Sequence, residues 1–277
     1  MKFRQRFFDP NSLWMLSPEQ TAGIFNRISQ DVTPDAPLSP VVDVDDDDEA
    51  GEEPPYELEN GLAIIALAGV VVRSASETEC EYFGLCSMEE VAEAITHANA
   101  NPDVSAILLN IDSPGGEACG TPEIAELVAN SVKPVCAFTS GMMASAAYYI
   151  GSQADLVLAS KSAVVGSIGT IMTTYDFTGY LAKLGIKPTV FTDSALKGAG
   201  HQAQALTKEQ SDYLQGIVDQ IGAEFRATVK AARGDVADST MQGQIFIGAS
   251  AKAALLIDEI SDLNRAKQSA LDLVTIK

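Results

Sequence analysis

Histidine is nearly absent from this sequence: it occurs twice, as His97 and His201, alongside a single tryptophan. A histidine-based catalytic triad or a histidine-rich metal centre therefore has little to draw on. The four cysteines, Cys80, Cys86, Cys119 and Cys136, include no CxxC pair and have no histidine at ligand spacing, which argues against zinc. In a chain of 277 residues they do not make a disulfide framework either. Reduced thiols are the plain reading, with a Cys80–Cys86 bridge as the alternative in an oxidising compartment. Basic residues are scarce, at 18 Lys and Arg against 38 Asp and Glu, so a phosphate-binding surface has no source of charge. Long hydrophobic runs are missing too. The longest, Leu62 to Val72, has 11 residues, whereas a membrane span takes about 20. The basic N-terminus has no apolar stretch behind it of the kind a secretion signal needs. The expectation is a soluble, cytoplasmic protein with no nucleic-acid partner, no integral membrane segment and no metal or other cofactor.

The chain divides by composition. Within Phe3 to Ser29, Pro18 and the spacing of Ile24, Phe25 and Ile28 suggest a short helix. Residues 30–55 are rich in Pro and Asp, with 8 acids in the 11 residues from Asp43 to Glu53, and read as a disordered linker. Residues 1–55 are thus an N-terminal extension, and 56–277 the folded domain. In that domain Leu62–Val72 reads as one buried strand, and Ser87 opens a capping box, S-M-E-E, before a helix carrying Val91, Ile95 and Ala98. Val104–Ile111, Pro134–Thr139, Asp155–Ala159 and Lys187–Phe191 read as further strands, and Thr121-Pro122 as a helix start. Strands alternating with helices predict an α/β fold, a mostly parallel sheet with flanking helices. From Thr207 the chain turns helical, with Leu214, Ile217, Val218, Ile221 and Phe225 on one face. A short strand at Ile245–Ile247 and a helix over Ala249–Ile260 complete the helical C-terminal part.

Candidate chemistry concentrates between Phe138 and Thr170, a stretch nearly free of charge and dense in Gly, Ala and Ser. Ser145 lies in A-S-A-A-Y-Y and Ser167 in G-S-I-G. Small neighbours around a hydroxyl let a substrate backbone approach closely, so Ser145 is a candidate nucleophile. Asp112–Gly116 reads D-S-P-G-G at the end of a strand, where ligands gather in parallel sheets. Its two glycines are either an ordinary turn or donors for an oxyanion. A base is needed to activate the serine. His201, in a Gly-rich loop, is the one plausible imidazole, because His97 falls on a surface helix. Lys197, in L-K-G-A-G, is the alternative, provided burial keeps it neutral.

Taken together, DSPGG, then ASAAYYIGSQADLVLAS, then GSIGT, then a lysine 52 residues after Ser145, then GQIFIGASAKAALLID, resemble the signal peptide peptidase A (protease IV) family of serine peptidases and its phage capsid-assembly branch. The similarity runs from about Leu62 to Ile260. It implies the ClpP/crotonase-like superfold and a Ser–Lys dyad: Ser145 as nucleophile, Lys197 as general base and Ser167 holding the lysine amine. Backbone N–H groups of Gly115, Gly116 and Ala146 would form the oxyanion hole. Two departures stand out. Leu255 occupies a position where the family has glycine, and the family's membrane anchor has no counterpart, which favours a soluble, phage-type member.

The resemblance implies peptide-bond hydrolysis by a homo-oligomeric ring. Its substrates would be polypeptides such as scaffold or portal-associated proteins during head maturation, in a host cytoplasm or prohead. The acidic N-terminal segment is itself a candidate for cleavage. Rival readings are a cellular peptidase degrading signal peptides, a crotonase-type acyl-CoA enzyme, and a non-catalytic capsid-assembly or scaffold protein on the same fold.

Overall fold

The computed structural model describes residues 54–275 together with a two-residue strand, β1 (Trp14–Met15). The helix expected within residues 3–29 and all but the end of the linker expected over 30–55 lie outside the described residues.

The folded chain opens with β2 (Glu57–Glu59), which turns at Asn60-Gly61 into β3 (Leu62–Ala68). Both turn residues have positive φ, 50° and 83°, the geometry an Asn-Gly hairpin favours. Gly69 then ends β3, and β4 (Val70–Val72) continues in a different sheet. The single strand expected over Leu62–Val72 is thus two. At φ 91°, Gly69 lies so close to Gly84 that a Cβ would stand 2.3 Å from its carbonyl oxygen, and only glycine permits that break.

Next come α1 (Glu77–Phe83), β5 (Leu85–Ser87) and α2 (Met88–Ala100). Ser87 is the N-cap of α2 but its side chain makes no capping bond. The reciprocal capping boxes lie elsewhere, at Ser76 before α1 and at Thr207. β6 (Ala106–Asp112), β7 (Gly116–Glu117), α3 (Thr121–Ala129) and β8 (Val135–Thr139) follow. After them run β9 (Met142–Ala144), α4 (Ala146–Gly151), β10 (Leu156–Ala159) and β11 (Val164–Gly166). The short α5 (Thr178–Lys183) precedes the long α6 (Lys208–Arg233). No strand forms over residues 187–191. Pro188 has no N–H for a ladder, and Phe191, 90% exposed, has no sheet to pack on. The C-terminal part holds β12 (Ile245–Ile247), α7 (Ala249–Ala253), β13 (Glu259–Ile260) and α8 (Leu263–Asp272). The helix expected over Ala249–Ile260 therefore stops after five residues, and α8 is an element the sequence pattern did not suggest.

The main sheet has six strands in the order β13-β10-β8-β6-β3-β2, parallel throughout except for the β2–β3 hairpin. Its residues alternate faces with the strand period. Ala63, Ile65, Ile107, Leu109, Ala137 and Val157 join one core with α2, α3 and α4. Leu62, Ile64, Leu108, Phe138 and Leu158 face the other way, against Ala266 and Ala270 of α8. Two small sheets, β1-β7-β4-β5 and β12-β11-β9, stand at the carboxyl ends of the main strands. Among the described residues no helix is long and apolar enough to cross a membrane.

Candidate active site

The parallel ladder between β9 and β11 pairs Ala144 with Gly166. The next residue on each strand is a serine, so Ser145 and Ser167 leave the small sheet side by side. Adjacent strands lie about 4.8 Å apart, which sets the scale of their backbone separation. The Ser145 N–H donates to Gly166 O at 2.8 Å, and the Ser167 N–H donates to Gln244 O at 2.8 Å. Both serines hold positive φ, 54° for Ser145 (ψ −123°) and 53° for Ser167. For a residue with a Cβ such a backbone costs on the order of 1–3 kcal/mol. At Ser145 the conformation turns strand β9 directly into helix α4, an elbow that leaves the residue on the wall of a cleft.

The residues around the elbow are small or anchored. Ala144, Ala146 and Ala147 are buried, and a Cβ on Gly151 would stand 2.7 Å from Met143 Sδ. The two tyrosines that follow fix α4 to two later parts of the chain. Tyr148, fully buried, donates its hydroxyl to Leu256 O at 2.9 Å. Tyr149 packs at a tilt against Phe225 of α6, ring centroids 4.8 Å apart, and its hydroxyl is 3.0 Å from Thr228 Oγ1. Ser145 itself is only 2% exposed, and among the described residues its hydroxyl has no hydrogen-bond partner. The N–H groups at the start of α4, including that of Ala146, have no acceptor within the helix.

The D-S-P-G-G turn is welded to this elbow. Ser113 donates its N–H to Met142 O at 2.7 Å and accepts from the Ala144 N–H at 3.1 Å. Asp112 Oδ1 accepts the Met142 N–H at 3.0 Å and fills the space a Cβ on Gly141 would need. Gly115, at φ 99°, donates its N–H to Ser113 Oγ at 3.1 Å. Gly116 is a glycine for another reason: a Cβ there would sit 1.7 Å from Val71 O. Of the two glycines, Gly115 therefore already spends its amide within the turn, while Gly116 sits on the ladder with β4. Sequence reasoning treated Asp112 and Ser113 only as turn residues. Their locking contacts follow from β6 and β9 lying side by side, which local pattern does not reveal.

Ser145 and Ser167 open into one cleft of about 790 Å³, walled on the far side by Val218 and Arg226 of α6 and by Met241. Thr170, next in the G-S-I-G-T run, also lines it, with a buried hydroxyl that lacks a partner among the described residues. Lys197 does not line this cleft. It is exposed, and its amine has no partner among the described residues. The loop that carries it is nevertheless pinned, because Gln210 Nε2 donates to Ala195 O at 2.9 Å and Gln204 Nε2 to Gly198 O at 2.7 Å. Neither histidine lines the cleft. His97 is exposed with Nδ1 2.9 Å from the Tyr56 hydroxyl, and His201 is exposed with Nδ1 accepting the Ala203 N–H at 3.2 Å. Within one chain, then, the two serines and the glycine turn come together and the lysine stays outside. All four cysteines are free, so the Cys80–Cys86 bridge is absent.

The model of peptidase family S49 matches residues 128–277, more than half of the chain. The chain belongs to peptidase family S49. The match takes in Ser145, Ser167 and Lys197 and stops short of the D-S-P-G-G turn. Among S49-related sequences, the head-tail preconnector protein GP5 of Enterobacteria phage P21 is 28% identical over 257 residues, 91% of this chain and 51% of its own. Capsid assembly protease C of Escherichia phage lambda is 28% identical over 234 residues, 82% of this chain and 53% of its own. The chain thus spans about half the length of these relatives. Among solved structures, a ClpP1 mutant from Listeria monocytogenes superposes with a TM-score of 0.49 at 13% identity, over 74% of this chain and 94% of that one.

Proposed function

We propose that this S49 chain is a serine endopeptidase of the phage capsid-assembly type, acting in a host cytoplasm or prohead. The observation that carries the reading is the strained elbow at Ser145, beside Ser167 and the D-S-P-G-G turn. In this reading the Ser145 hydroxyl attacks the scissile carbonyl while a neutral lysine amine, that of Lys197, takes its proton. The N–H groups of Gly116 and Ala146 stabilise the oxyanion, and Gly115, already bonded to Ser113, supports the turn. The lysine then returns the proton to the leaving amine, and water hydrolyses the acyl-enzyme. Ser167 holds the lysine amine toward Ser145.

We infer that the lysine reaches Ser145 from a second copy of the chain, as part of a ring. Lys197 lies outside the cleft of its own chain. It follows a segment that exposes Tyr175, Phe177, Tyr180, Leu184, Ile186 and Phe191, each at 44–90%. Large apolar side chains gathered this way mark an interaction surface. Two relatives that align over more than four-fifths of this chain are phage head proteins by name, so scaffold or portal-associated polypeptides are the proposed substrates and residues 56–277 the peptidase domain.

The test is mass spectrometry and peptide hydrolysis on the wild-type protein, Ser145→Ala, Lys197→Ala and an equimolar mixture of the two variants. Each variant alone is expected to be inactive. The mixture is expected to regain activity, because a Lys197→Ala chain still offers Ser145 to a neighbour's lysine. Activity in Ser145→Ala alone would refute the nucleophile. A silent mixture of co-assembled variants would refute the shared site.

A further inference from the structure

Strand β7 has two neighbours, and the second is unexpected. On one side lies β4, where Val71 pairs with Gly116 and donates its N–H to Gly115 O at 2.9 Å. In a parallel ladder, a residue facing its partner this way turns its own N–H and C=O toward the opposite side. That opposite side is filled by β1. Met15 pairs antiparallel with Gly116, and Trp14 with Glu117. Trp14–Met15 thus runs as a short extended strand along the edge that bears the Gly116 amide. Helix α4, which begins at the residue after Ser145, packs against the same β7.

An extended polypeptide that must present its carbonyl to Ser145 and to Gly116 needs this edge, and strand addition would supply its main-chain bonds. Main-chain pairing is indifferent to sequence, so a tethered strand competes for the edge with any incoming chain. We propose that the strand Trp14–Met15 is an intramolecular inhibitor. Seated on Gly116–Glu117, it keeps substrate polypeptides from Ser145 until it is displaced. The proposal rests on Ser145 being the nucleophile. No other part of the described chain offers β7 an antiparallel partner.

The test is the full-length double variant Trp14→Pro/Met15→Pro, compared with wild type and with an Ala50→Pro control. Proline removes ladder N–H groups wherever in the segment they are used. Two measurements are made on each protein: deuterium uptake over residues 114–119, and hydrolysis of an internally quenched peptide with small apolar residues at its centre. The double variant is expected to exchange faster over residues 114–119 and to show about a tenfold higher kcat/KM, the effect of losing one or two ladder bonds. The control is expected to match wild type in both. Unchanged exchange would overturn the docking of β1. Faster exchange with unchanged hydrolysis would show a strand that pairs without blocking, and would overturn the inhibition. No hydrolysis by any of the proteins, with Ser145 inert to a fluorophosphonate, would refute the peptidase reading and the inhibitor with it, whatever the exchange shows.

Discussion

Among the described residues, four other than glycine hold a positive φ: Asn60, Ser145, Ser167 and Leu255. Asparagine tolerates that region, and in the proposed mechanism the two serines have a chemical reason to be there. Leu255 has none. It stands just past the end of α7 at φ 61°, with the Leu256 N–H bonded back to Ala251 O at 3.0 Å, the arrangement that usually takes glycine. Its side chain is 48% exposed, so packing does not repay the strain. Leu255→Gly is expected to raise stability by about 1 kcal/mol, the cost of a left-handed conformation for a side-chain-bearing residue, seen as a higher urea midpoint with an unchanged slope. The departure of Leu255 from the family pattern was visible in the sequence, and its conformational cost follows from φ alone. Ser145 and Ser167 were equally legible, because small residues surround both. Thr170 and Arg226 were not, since their place in the cleft depends on how α6 lies across the small sheet.

At the scale of elements, the parallel strands and main helices followed from apolar runs and caps, and the misses share a cause. Gly69 divides β3 from β4 because of a backbone contact with Gly84, fifteen residues away. Residues 187–191 have strand-like side chains but no strand to pair with. Helix α8 buries only Ala266 and Ala270, too small a stripe to stand out in sequence. One ion pair ties the C-terminal elements to the sheet. Arg233, at the end of α6 and 9% exposed, makes a bidentate contact with Asp258 at 2.7 and 3.1 Å. Asp258 also accepts the Val157 N–H at 2.7 Å and donates its own N–H to Val157 O. Asp258→Ala strands the buried guanidinium. Removing one partner of a fully buried pair costs about 3–5 kcal/mol. Asp258 is 36% exposed, so about 2 kcal/mol is expected here, read from urea unfolding, while Asp258→Asn, which keeps the bond to Val157, should lose less.

Across the whole molecule, the buried thiols set a limit at alkaline pH. Burial pushes the Cys86 and Cys136 thiols up to about 12 from an ordinary value near 9, and it raises the buried Tyr148 phenol as well. In the unfolded chain these groups release their protons earlier, so above that ordinary value the unfolded state binds fewer protons and stability falls as pH rises. Their contribution is complete below pH 9 and is lost on the way to 12. Each thiol is expected to cost up to about 1.4 kcal/mol per pH unit in that window. Thermal midpoints at pH 8, 9 and 10 would show the decline, and Cys86→Ala/Cys136→Ala should flatten it after allowance for its lower baseline.

The pairing of Ala144 with Gly166 carries one more consequence, for the order of events in a cell. Sliding β9 past β11 by a single residue would turn every side chain on the shifted strand to the other face. Ser145 and Ser167 would then point away from each other. A newly made chain that has not reached its final register therefore has no assembled pair of hydroxyls, however compact it is. The sheet works as its own proofreader, and on the proposed reading Ser145 gains its neighbouring hydroxyl only when this ladder is in register.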